Sequence, residues 1–103
     1  MSRTQVLTTN VTKTIALAAT PEVIVASQIF VKSVVIQALV TNTDFLYIGD
    51  STRQLFALSP GRSLTIQGDN MDNGTSGKVD LNTIWAKVNV NGEGLNFVYL
   101  AGL

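Results

Sequence analysis

Apolar side chains recur at every second position along most of this chain. In "RSLTIQ" (62–67), Leu64 and Ile66 alternate with polar neighbours. In "WAKVNV" (85–90), Ala86, Val88 and Val90 alternate with Lys87 and Asn89, and in "LNFVYL" (95–100), Leu95, Phe97 and Tyr99 share one parity. Period two is the signature of a strand with one buried face, and the abundance of Val, Ile and Thr agrees with it. The pattern predicts strands over 5–9, 11–18, 22–26, 29–40, 45–49, 55–58, 63–67, 84–90 and 95–100. They are closely spaced and separated by turn-forming residues, as in a sandwich or barrel. No segment combines a helical period with caps. The expected fold is therefore all-β: one antiparallel β-sandwich or barrel over 15–103, preceded by a polar N-terminal arm over 1–14.

Two segments sharpen this picture. Residues 29–40 are apolar on both parities, with Phe30, Val34, Ile36 and Val40 on one and Ile29, Val31, Val35 and Leu39 on the other. Such a strand lies centrally with both faces covered, or bends from one sheet into another. Its length exceeds that of an ordinary strand, which favours the bend. Near the C-terminus, Asn91-Gly92-Glu93-Gly94 has turn chemistry, and closing it as a hairpin pairs Val90 with Leu95, Val88 with Phe97 and Ala86 with Tyr99. That register puts Ile84, Ala86, Val88, Val90, Leu95, Phe97 and Tyr99 on a core face. Trp85, Val98 and Leu100 then fall together on the opposite face as an apolar patch that something else covers.

The remaining turns are plain. Thr41-Asn42-Thr43-Asp44 carries short polar side chains that bond local backbone, and Ser59-Pro60-Gly61-Arg62 has the proline and glycine of a type II turn.

Composition changes the picture in one direction. Hydrophobic residues make up 46% of the 103 and charged residues only 14%, against roughly 25% charged in ordinary soluble proteins. So few charges cover a surface poorly, which points to an assembled protein. Seven basic and seven acidic residues balance to zero, leaving no basic stripe for nucleic acid and no polybasic segment for a membrane surface. No run approaches the roughly 20 apolar residues of a membrane span, and "MSRTQVLTTNVTKT" has no secretory leader pattern, so synthesis in the cytosol is expected.

Candidate chemistry is sparse. His and Cys are absent, which removes the usual general bases, thiol nucleophiles and zinc ligands. The acids Glu22, Asp44, Asp50, Asp69, Asp72, Asp80 and Glu93 sit almost entirely in predicted turns, where local hydrogen bonding accounts for them. "DNMDNGTSGKVD" (69–80) superficially resembles a calcium loop, but Met71 stands at a ligand position and Asp80 where a bidentate Glu belongs, with no flanking helices. No catalytic residue, metal or cofactor is expected, and the chain reads as a non-enzyme. The candidate interface residues are Arg3, Val6 and Leu7 in the arm, together with Trp85, Val98 and Leu100.

The succession "ALVTNTDFLYIGDS", "LSPGRSLTI" and "VDLNTIWAKVNVNGEGLNFVYL", covering roughly 34–100, resembles small virion structural proteins of tailed bacteriophages. The resemblance implies a β-sandwich or jelly-roll decoration (cement) protein on the capsid surface. It further implies a homo-oligomer, commonly a trimer, clamping adjacent subunits of the major capsid protein, with the arm lying across a neighbour as an added strand. It carries over no functional residues, because the shared residues are structural. A tail, fibre or baseplate module recognising host-surface glycans is the alternative.

Overall fold

In the computed structural model, which describes residues 6–7, 11–68 and 79–101, the alternating segments form eleven strands and one short 3-10 turn. Three brief strands come first: β1 (Val6–Leu7), β2 (Val11–Thr14) and β3 (Glu22–Val23). β4 (Phe30–Val31) leads into β5 (Ser33–Ala38), followed by β6 (Leu46–Gly49), β7 (Gln54–Leu58) and β8 (Ser63–Gln67). After β9 (Val79–Asp80) and the 3-10 turn Leu81–Thr83 come β10 (Trp85–Val88) and β11 (Gly94–Ala101). Every pairing between them is antiparallel.

The strands make two facing layers, a β-sandwich. One sheet runs β1-β11-β5-β8, with β2 also on β11, and the other runs β3-β10-β6-β7; β4 and β9 form a separate small ribbon. Period-two alternation does what it predicts: one parity of each central strand turns inward. Val34, Ile36 and Ala38 of β5 with Leu95 and Phe97 of β11 form one wall of the core. Leu46 and Ile48 of β6 with Ala86 and Val88 of β10 form the other, and all nine are buried. Ile15, Ile24, Val31, Leu81 and Ile84, from connecting or short segments, are buried in the same cluster.

The long 29–40 segment does bend. Val31 is buried before Lys32, whereas Val34, Ile36 and Ala38 are buried after it. The inward parity switches at the bend, so both parities are apolar in sequence. The Ser59–Arg62 turn is type II: the Arg62 N–H donates to the Ser59 carbonyl (2.9 Å) and Gly61 has φ +84°.

One expectation needs correction. β10 and β11 do not pair as a hairpin: β10 lies between β3 and β6, and β11 between β5 and the β1/β2 edge. A turn does form, with the Glu93 N–H donating to the Val90 carbonyl (3.2 Å). However, Gly92 N–H bonds the Ile15 carbonyl (2.8 Å) and Glu93 C=O accepts from Ile15 N–H (2.9 Å). Residue 15 therefore takes the backbone groups beside the turn, and the chain crosses to the other layer. Val90 is consequently exposed and Tyr99 half-buried, though Ala86, Val88, Leu95 and Phe97 face the core as expected. Within 1–14, Val6–Leu7 and Val11–Thr14, both in segments read as strands, pair with the chain's own β11.

Candidate functional site

Three connections between the sheets, 15–21, 39–45 and 89–93, are tied to each other by polar side chains. Asn42 is buried, and its side chain mimics a strand neighbour: Nδ2 donates to the Gly94 carbonyl (2.8 Å) and Oδ1 accepts from the Gly94 N–H (3.1 Å). Beside it the Glu93 carboxylate accepts from the Thr43 N–H (2.6 Å), the Thr43 hydroxyl (2.6 Å) and the Asp44 N–H (3.3 Å). The Thr43 side chain foremost, then these backbone donors, hold Glu93 below its ordinary pKa. Asn91 Oδ1 accepts from the Ala18 N–H at 2.6 Å.

The other described carboxylates have similar work. Asp50 accepts from the N–H groups of Arg53 and Thr52 (both 2.8 Å), which depress its pKa and close the β6–β7 turn. Asp80 caps the 3-10 turn through Asn82 N–H (3.0 Å) and takes a bond from Gln28 (3.1 Å). Glu22 pairs with Lys13 at 2.7 Å and accepts from the Ala16 N–H at 3.1 Å; the lysine bond foremost lowers its pKa. Among the described residues no cluster of acids is placed to hold a metal ion. The possible calcium loop lies, except for Val79 and Asp80, outside the described residues.

The surface is more informative than the carboxylates. Of the candidate interface residues, Arg3 lies outside the described residues, and the backbones of Val6 and Leu7 lie on the β11 edge. Trp85 is half-buried on the outer face of the β3-β10-β6-β7 sheet. Val98 and Leu100 are half-buried on the outer face of the other sheet. They do not form one patch, because the chain crosses layers between them.

Large apolar side chains are exposed elsewhere. Leu55 is 74% exposed, Phe56 64%, Val40 73% and Phe45 44%. Val40 lies beside Gly61, and Phe45, Ala57, Leu58 and Arg62 line an open recess of about 520 Å³ around the 59–62 turn. Phe45 and Tyr47 have ring centroids 6.3 Å apart, with Lys87 Nζ 5.3 Å from the Tyr47 centroid. One signal for Leu55 and Phe56 was present in sequence: adjacent apolar residues in a strand cannot both face a core on one side.

The outer flanks of the sandwich differ. At the β2/β3 flank the Lys13–Glu22 ion pair bridges the two sheets. At the β7/β8 flank, Leu64 and Ile66 stay half-buried and Phe56 exposed. No family model, curated protein or solved structure matches this chain.

Proposed function

We propose that the chain is a homo-oligomeric decoration protein of a tailed-phage head, binding the outer surface of the shell and stabilising contacts between major capsid subunits. The observation that carries this reading is the apolar surface left outside the core, around Val40, Phe45, Leu55 and Phe56, on a chain with only 14% charged residues. Exposed apolar surface of this extent marks a face that is covered in an assembly. The winding supports the same reading. With β2-β11-β5-β8 in one layer and β3-β10-β6-β7 in the other, the chain changes layer at every connection among these eight except β6–β7. That is the order expected of a jelly roll, the architecture the sequence resemblance implies. Binding to the assembled lattice and not to free subunits would stabilise the shell by mass action, and many copies would strengthen it through multivalency. The test is to heat purified heads with and without the protein. Complete heads should keep their contents to a higher temperature; equal resistance would end the reading.

The Phe45–Tyr47 pair with Lys87 on an outer sheet face favours a second reading, a tail, fibre or baseplate module that recognises host-surface glycans, since exposed aromatic faces stack on sugars. Specific binding on a glycan array, lost on Tyr47→Ala, would favour it over head decoration.

A further inference from the structure

Each sheet edge presents backbone groups that another strand can pair with, and folded proteins commonly blunt such edges with short strands, charges or bulges. Of the four edges of the two large sheets, three are blunted. Among the described residues, the β11 side carries β1 and β2, which are short and include Lys13. β3 has two residues, one of them the ion-paired Glu22. β7 is bulged, since Ile48 pairs with Phe56 but Gly49 with Gln54, leaving Leu55 extra.

β8 has none of these defences. Its five residues keep unbroken register with β5, and the run Ser63-Leu64-Thr65-Ile66-Gln67 contains no charge and no proline. Among the described residues no strand pairs with its other edge. The bonds flanking the ladder fix its phase: Gly68 N–H donates to the Lys32 carbonyl (2.8 Å) and Ala38 N–H to the Arg62 carbonyl (2.9 Å). Hydrogen-bonded pairs alternate in an antiparallel ladder, so the even-numbered residues bond β5, and Ser63, Thr65 and Gln67 turn their N–H and C=O groups to the open edge.

We propose that β8 is a self-association edge, at which two copies pair antiparallel about Thr65 and join their sheets into one. In this register Thr65 exchanges both backbone bonds with the partner's Thr65, and Ser63 does so with the partner's Gln67. Leu64 then lies opposite the partner's Ile66, covering two side chains that the single chain leaves half-buried. A second copy is the occupant that fits. A two-fold contact sets each residue against the same short segment, and this segment brings no like charges together. Thr–Thr is also a favourable cross-strand pair. A three-fold ring would instead have to join β8 to a different edge, and the other three are blunted.

Light scattering on the purified chain at micromolar concentration should give twice its 11.0 kDa mass. Thr65→Pro removes an N–H that points away from β5, a position where an edge strand tolerates proline. Thr65→Lys puts two like charges at the symmetry axis. Both variants should be monomeric, with wild-type circular dichroism, and in wild type alone the amides of Ser63, Thr65 and Gln67 should resist hydrogen exchange. A wild-type monomer or trimer, or a Thr65→Lys variant that stays dimeric, overturns the proposal. A wild-type monomer would also remove the homo-oligomer from the proposed function, whereas binding to the head is decided separately by heating complete and depleted heads.

Discussion

Asn42 is a buried amide whose oxygen and nitrogen both reach the backbone of Gly94, itself buried. Replacing it with alanine removes both bonds; the Gly94 C=O keeps the Leu39 N–H (3.1 Å) but the buried Gly94 N–H loses its acceptor, a loss of about 1–3 kcal/mol. Urea denaturation of Asn42→Ala should show this; a change below the scatter of the measurement would mean that water takes over the bond to the Gly94 N–H. Phe97 shows the apolar counterpart. It is 2% exposed, and Phe97→Ala should cost about 3–5 kcal/mol by the same assay. The acids give a pH signature. Glu22, Asp50 and Glu93 all have pKa values lowered in the fold. Their stabilisation is therefore complete above the ordinary carboxylate values of 4.5 and 3.8, and is lost as pH falls through the depressed ones. The melting temperature should drop below about pH 4.5, and Glu93→Gln should lower it at neutral pH and flatten the decline. An unchanged slope in Glu93→Gln would remove that carboxylate from the account.

Elements were legible where their cause is local. Pro60 and Gly61 specify their own turn, and the doubled parity of 29–40 records the bend at Lys32. The β10–β11 connection was not legible, because a hairpin and a layer crossing demand the same alternation. In both, Ala86, Val88, Leu95 and Phe97 look into one interior, and the choice rests on Ile15, more than seventy residues away in sequence, bonding Gly92 and Glu93. The candidate patch failed for this reason: Trp85, Val98 and Leu100 share a face only if the hairpin exists. β11 also runs close against β2. A Cβ at Gly94 would meet the Lys13 carbonyl and come within 2.7 Å of the Thr14 Cα. Gly94→Ala should therefore displace β2 and raise amide exchange across 11–14. Wild-type protection there would mean that β2 shifts without letting go.

For the molecule as a whole, the unequal flanks matter more than any single side chain. An ion pair closes one side of the sandwich, while half-buried Leu64 and Ile66 and exposed Phe56 leave the other unfinished. Period-two alternation predicted two-layered burial well but carries no information about which strands end at an edge. Edge status comes from strand order, and strand order from long-range pairing.

That order also bears on how the chain can be made. β11 follows every other described strand, yet it sits inside its sheet, bonded to β5 on one side and to β1 and β2 on the other. During synthesis, β1, β2 and β5 leave the ribosome long before the strand that joins them. The nascent chain must wait, with the apolar faces of Val34, Ile36 and Ala38 uncovered, until residues 94–101 have emerged. Sheets closed by such distant pairings fold slowly and are prone to aggregate meanwhile, so this sandwich should fold only once residues 94–101 have emerged, and all at once.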